Sequence, residues 1–192
     1  MLLIKKFILP LTLLLTSNYA FSNQTYTIDE LNSMSADNYE KSLSAIFEDT
    51  TWPIVEAAKQ RPFTGFVDMY IDIVNVVENA GTDKQLELIQ SHPELACKTL
   101  RNNDIALLSQ GEQSSAGLNE CTETEAKELA QLNETYRQKF GFPFLLAVKN
   151  ATKEQIFASA RARMQNKKET ELNIAMQQEY KIVLFRLLDQ VK

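Results

Sequence analysis

Lys168-Glu169-Thr170-Glu171-Leu172-Asn173-Ile174-Ala175-Met176-Gln177-Gln178-Glu179-Tyr180-Lys181-Ile182-Val183-Leu184-Phe185-Arg186-Leu187-Leu188-Asp189-Gln190-Val191 decides the fold class. Tyr180, Val183, Leu184, Leu187, Leu188 and Val191 recur at three- and four-residue steps, the period of a helix with one apolar face. Arg186 lies beside that stripe, and pattern alone makes it a flank arginine whose stem covers core surface. The same period runs through Phe66, Met69, Tyr70, Ile73, Val74 and Val77, a helix from about Thr64 that Gly81 stops. Thr122 with Glu125 and Thr152 with Gln155 are capping-box patterns. The first heads a helix reaching Phe140, and Gly141-Phe142-Pro143 breaks the chain between the two. Ser35 caps a helix to about Phe47, and Thr51-Trp52-Pro53 opens another that Arg61-Pro62-Phe63 ends. A helix from Asp83 delivers His92 at its end, because the residue before Pro93 is pushed out of helical geometry. Alternating strand patterns and internal repeats are absent from this reading, so the chain is expected to be all-α, a single-domain multi-helix bundle.

The first residues read as an address. Lys5 and Lys6 precede an apolar stretch from Phe7 to Leu15, and Ala20-Phe21-Ser22 is a small-x-small cleavage signal. That stretch is shorter than the roughly 20 residues that span a bilayer, so residues 1–22 are expected to be a cleaved secretory signal peptide. Residues 23–192 then form one domain, exported to the periplasm or secreted, with no membrane association after cleavage. Loss of Lys5 and Lys6 takes the formal charge from −5 to −7, which argues against a nucleic-acid or anionic-membrane partner. Cys97 and Cys121 enter an oxidising compartment, where a bridge bracing the segment between them and a pair of buried thiols are both open. Neither cysteine has the spacing of a zinc site, and no metal is expected.

His92 is the single histidine of the chain. A lone imidazole beside a carboxylate and an amide can do proton chemistry without a metal. Twenty residues on, Ser109-Gln110-Gly111-Glu112-Gln113-Ser114-Ser115-Ala116-Gly117-Leu118 reads as a polar connection between helices. Ser109, Glu112 and Gln113 are spaced to converge on one side of a helical turn, as a cradle for a ligand rich in amide and ureido groups.

These residues resemble a known family, the 2-oxo-4-hydroxy-4-carboxy-5-ureidoimidazoline (OHCU) decarboxylases of urate breakdown. The resemblance is spread over Phe47-Glu48 with Trp52, Arg61-Pro62-Phe63, His92-Pro93-Glu94-Leu95-Ala96, Ser109 with Glu112-Gln113, and Ala116-Gly117-Leu118. It continues through Leu132-Asn133, Tyr136-Arg137, Phe140-Gly141-Phe142-Pro143-Phe144 and Arg186-Leu187, in the family's order. It implies an all-helical, cofactor-free homodimer that releases carbon dioxide from OHCU and yields (S)-allantoin. It also implies His92 as the catalytic histidine; Glu112 is read beside it as catalytic on chemical grounds, orienting a ring or ureido N–H and able to hold the His92 proton in place. Pro93, Ser109, Gln110, Gly111, Glu112, Gln113 and Arg186 would contact substrate, as would the backbone of Phe144, Leu145, Leu146, Ala147 and Val148. Arg163 matches a recurrent family position read as structural. Gly111 places a glycine inside the binding turn, where it can loosen it.

Loss of carbon dioxide leaves an electron pair on a ring carbon as an enolate-like species, which a site must stabilise and then protonate on one face. A competing reading is an exported helical binding or scaffold protein that keeps the fold without turnover. A general helical stress or chaperone-like protein is a third, resting only on size, charge and helix content.

Overall fold

The computed structural model describes residues 24–102 and 104–192, so the export signal read over residues 1–22 lies outside the described residues. Short helices α1 (Ile28–Ser33) and α2 (Ala36–Leu43) lead into α3 (Trp52–Ala57), which tightens into a 3₁₀ turn over Ala58–Gln60. Then come α4 (Phe66–Asn79), α5 (Thr82–Gln90) and α6 (Leu107–Gln113), the last running into a π-type turn over Ser114–Leu118. The chain closes with α7 (Glu123–Phe140), α8 (Lys153–Arg163) and α9 (Lys168–Gln190). The described residues form no strand beyond an isolated parallel bridge between Tyr26 and Val191. None of the described helices is long and apolar enough to cross a membrane.

Local chemistry sets most helix ends. Thr122 and Glu125, and likewise Thr152 and Gln155, form the two expected capping boxes, each satisfying backbone N–H groups that have no partner within the helix. A third box joins Thr27 to Glu30 at α1. Gly141 ends α7 at φ 85°, a left-handed conformation that glycine adopts without a side-chain clash, and its N–H reaches the Arg137 carbonyl at 2.8 Å. Arg61-Pro62-Phe63 does more than stop a helix. Arg61 donates to the carbonyls of Leu31 (3.0 Å) and Met34 (2.8 Å), while the Asn32 amide exchanges two hydrogen bonds with the Phe63 backbone.

Three expectations are corrected. The helix capped by Ser35 ends at Leu43 and does not reach Phe47. Beyond it the chain turns, burying Ile46 and Phe47 and freeing the Ile46 carbonyl to accept from Arg186 Nη1 at 3.1 Å. The segment from Ser109 is helical and not a loop: α6 and its π-type turn carry it as far as Leu118, with Gly117 at φ 83° supplying the reversal. Gly111 sits inside α6 on its exposed side.

The third correction concerns α9, which packs against α4, α5 and α7. Its buried face is rotated from the expected stripe: Leu188 is 54% exposed, whereas Glu171, Glu179 and Arg186 join Ala175, Met176, Ile182, Val183 and Leu187 in the interior. Buried charges persist only where partners compensate the lost hydration, so the position of α9 depends on what faces those three side chains.

Two devices fix the backbone around the centre of the bundle. Cys97 and Cys121 form a disulfide with Cα atoms 5.8 Å apart, settling the alternative the sequence left open. A bridge across a sequence separation of 24 stabilises the fold by about 3 kcal/mol through the entropy it removes from the unfolded chain. Nearby, the Lys98 N–H meets the Leu118 carbonyl at 2.9 Å. On the other side, Arg163 donates to the Leu145 carbonyl at 2.7 Å and lies 4.6 Å from the centre of the Phe144 ring. Its guanidinium is held in turn by Glu171, which accepts a short hydrogen bond from Tyr136. Arg163 is thus structural in placement, setting the line of the chain from Phe144 onward.

Candidate active site

At the end of α5 the His92 N–H still reaches the Ile89 carbonyl (3.2 Å), but Pro93 has no N–H to continue the ladder, and the chain runs extended through Cys97. Gln113 pins this run from α6: its Oε1 accepts from the Ala96 N–H at 3.0 Å and its Nε2 donates to the Glu94 carbonyl at 3.3 Å. Asn133 of α7 adds a hydrogen bond to the Leu95 carbonyl at 2.8 Å. The backbone that carries His92 is therefore tied to three helices, and the residue is only 5% exposed.

Beside it lies a small cleft lined by His92, Pro93, Leu95, Ser109, Glu112, Gln113, Phe144, Leu145, Leu146, Val148, Ile182 and Arg186. Distant stretches of sequence thus meet as expected for His92, Pro93, Ser109, Glu112, Gln113, Phe144, Leu145, Leu146, Val148 and Arg186. Gln110, Gly111 and Ala147 do not line it. On α6, Ser109, Glu112 and Gln113 share a face, and the helical step of about 100° turns Gln110 and Gly111 away. The Gln110 amide donates to the Ile105 carbonyl at 2.8 Å instead. Ala147 is buried, and its N–H points to Gln178 Oε1 at 3.2 Å.

Arg186 is the electrostatic hub. Its Nε and Nη2 grip the two oxygens of Glu112, each at 2.8 Å, a bidentate fork that a lysine cannot reproduce. Nη2 also meets Glu48 Oε1 at 2.8 Å and Ser109 Oγ at 3.1 Å, and the Ser109 hydroxyl makes a short hydrogen bond to Glu48. Burial opposes the charge on Arg186, but Glu112 and Glu48 outweigh it and raise its pKa above the ordinary value. Glu48 behaves in mirror image: burial pushes its carboxyl up, and Arg186, Ser109 and His92 together hold it below the usual range.

His92 does not pair with Glu112, which corrects the expectation that Glu112 holds its proton: Glu112 is committed to Arg186. The carboxylates facing the imidazole are Glu179, with Oε2 2.6 Å from Nε2, and Glu48, with Oε1 3.8 Å from Nδ1. Burial disfavours the imidazolium and Arg186 repels it, yet Glu179 and then Glu48 outweigh both, so the His92 pKa is raised. A raised value means that His92 favours the folded state fully below the unfolded value of 6.5, a contribution lost as pH rises through the folded value. For Glu48 the sign is opposite: its contribution is present above 4.5 and lost as pH falls through the depressed folded value.

Glu48 and Glu179 are the members that sequence reasoning missed as site residues. Glu48 was visible only as part of the Phe47-Glu48 pattern. Glu179 carried a usable signal, because an acid seven residues before Arg186 is two turns away on the same helical face. Among the described residues, no group of three or more His, Cys, Asp or Glu is arranged to hold a metal ion.

Comparison with known proteins agrees with this arrangement. The OHCU decarboxylase family model matches residues 32–188. A uric acid degradation bifunctional protein of Bacillus sp. (strain TB-90) is 41% identical over 160 residues, covering 83% of this chain and 31% of that protein. This chain spans about a third of the length of that protein and of its Bacillus subtilis counterpart. An OHCU decarboxylase of Haloferax volcanii is 30% identical over 164 residues, covering 85% of this chain and 95% of the relative. Among solved structures, (S)-allantoin synthase superimposes with a TM-score of 0.70 at 26% identity, covering 86% of this chain and 54% of that one. With the family pattern matched from residue 32 to residue 188 and its histidine, acid, amide and arginine gathered in one cleft, this chain belongs to the OHCU decarboxylase family.

Proposed function

We propose that this protein is a cofactor-free carboxy-lyase that converts OHCU to (S)-allantoin and carbon dioxide in urate breakdown. The observation that carries this reading is the enclosure of His92 in a small cleft whose other polar walls are Ser109, Glu112, Gln113 and Arg186. In the step, the bond from ring carbon to carboxylate breaks, carbon dioxide leaves, and the electron pair stays on the ring as an enolate-like species. One proton then completes the product.

Each participant has a role that its surroundings permit. Preorganised donors aimed at developing charge are worth about 2.7–4 kcal/mol each, and in this reading Arg186, the second N–H of the Gln113 amide and the backbone N–H groups of Leu145, Leu146 and Val148 supply them. Glu112 is only partly buried, and each of its oxygens keeps a lone pair beyond its bond to Arg186, enough to orient a ring or ureido N–H. His92 supplies the proton from one side, which sets the configuration.

The test generates substrate in situ from urate with the two preceding enzymes and follows optical activity with and without the protein. An enantiomeric excess of (S)-allantoin is expected only when it is present. A racemic product, with the protein shown to be folded, would favour a ligand-binding protein without turnover. We further propose export and a homodimeric assembly. The disulfide suits an oxidising compartment, and the exposed Leu107 and Leu188 offer apolar surface to a second copy.

A further inference from the structure

We infer that Glu179 is a positioning residue that keeps a proton on His92, so that the ring enters the reaction as an imidazolium ready to donate. The inference rests on the decarboxylase reading for its purpose, but not for its test.

Charges in the cleft divide unequally. Glu48 and Glu112 both lie against Arg186, within 2.8 Å, and that one guanidinium serves the two. Glu179 is fully buried on α9. Among the described residues its one ion-pair partner is His92, with Nε2 2.6 Å from Oε2. At this distance both the attraction between charges and a hydrogen bond to Glu179 favour the protonated ring. A carboxylate so deeply buried requires a compensating positive charge or a proton of its own, and the imidazole can provide either.

The groups facing His92 can be counted. Glu179 and Glu48 favour the charged ring, Arg186 opposes it, and Glu112 is spent on Arg186. Glu48 is the weaker partner, farther away and already neutralised by Arg186 and Ser109. Glu179 is therefore the residue that decides the protonation state.

This matters for the chemistry. One proton is taken up for each carbon dioxide released, and an ordinary imidazole with a pKa of about 6.5 is mostly neutral at the pH of the reaction. Charged by Glu179, the ring carries an N–H on both nitrogens. One faces Glu179, and the other lies on the side of Glu48, Ser109 and Arg186. After donation, the neutral ring beside a buried carboxylate draws its replacement proton from solvent.

Because His92 is the single histidine, selective ¹⁵N-histidine labelling of untagged protein gives one imidazole spin system whose titration reads this site alone. The wild-type midpoint is expected above about 6.5. Glu179→Gln should lower it by about one pH unit or more, the usual effect of removing an opposite charge at this range. In the same variant the alkaline limb of kcat should move to lower pH with KM little changed, and Glu179→Asp should restore part of the shift. The inference is overturned by a wild-type midpoint below the ordinary value, or by a midpoint that Glu179→Gln leaves in place. Should Glu179→Gln fail to fold, the wild-type midpoint and that of Glu179→Asp decide. A raised midpoint that responds to Glu179 supports the inference even if no enantiomeric excess is found, a result that would count only against the decarboxylase reading.

Discussion

Replacing His92 with alanine is expected to abolish the enantiomeric excess of allantoin and to lower kcat by about 10²–10⁴-fold, the usual worth of a positioned general acid. Substrate would still disappear, because it decays unaided, and the allantoin formed would be racemic. Rate and stereochemistry must therefore be read together. The alanine variant also strips Glu179 of its cationic neighbour, and leaving a buried carboxylate uncompensated in this way costs about 3–5 kcal/mol of stability. His92→Gln separates the two effects. It keeps an N–H donor in the space beside Glu179 but has no proton to give, so the fold should survive with activity lost. An enantiomeric excess retained by a folded His92→Gln protein would remove the imidazole from the mechanism.

Arg186→Met is expected to lower stability by about 3–5 kcal/mol in urea unfolding, together with loss of activity. The cause is what remains. Glu48 and Glu112 would be left with no cation between them, and the Ile46 carbonyl would lose its donor. Arg186→Lys should not rescue activity, since one ammonium cannot grip both oxygens of Glu112 while reaching Glu48 and Ser109. Combining Arg186→Met with Glu48→Gln and Glu112→Gln removes the stranded charges. That triple variant should regain much of the stability and none of the activity, because a buried ion cluster adds little net stability over a neutral replacement. A triple variant that stayed as unstable as Arg186→Met would show that the arginine serves mainly as packing.

What sequence alone could reveal depended on how local the cause was. The capping boxes at Thr122 and Thr152 and the left-handed stop at Gly141 act over a few residues and were legible. The end of α2 at Leu43 was not, because the carbonyl that leaves the helix there is satisfied by Arg186, far along the chain. Ser109 to Leu118 looked like a loop because its helical face is polar. That face turns inward to a charged cleft, where an apolar stripe would be out of place. The same cause misled the reading of α9: hydrophobic periodicity assumes charges point outward, yet Glu171, Glu179 and Arg186 point in, each met by partners from other elements.

The resemblance to OHCU decarboxylases supplied most of the cleft, from His92 through Arg186, since a family pattern records side chains that periodicity cannot. Gln110, Gly111 and Ala147, also read as substrate contacts, share segments with lining residues but do not themselves line the cleft. The chemical reading paired His92 with Glu112, whereas the structure sets Glu179 against the ring. Glu112 is near in sequence and Glu179 is not, and only the packing of α9 against α5 brings the latter to the ring.

The most direct measurement is a crystal structure of this protein soaked with (S)-allantoin. The product ring is expected in the cleft beside His92, with Ser109, Glu112, Gln113 and Arg186 within about 3 Å hydrogen-bond reach of its ureido and ring groups. Product bound elsewhere, or a cleft left empty at saturating concentration with His92 out of reach of any ligand atom, would contradict the assignment of this site.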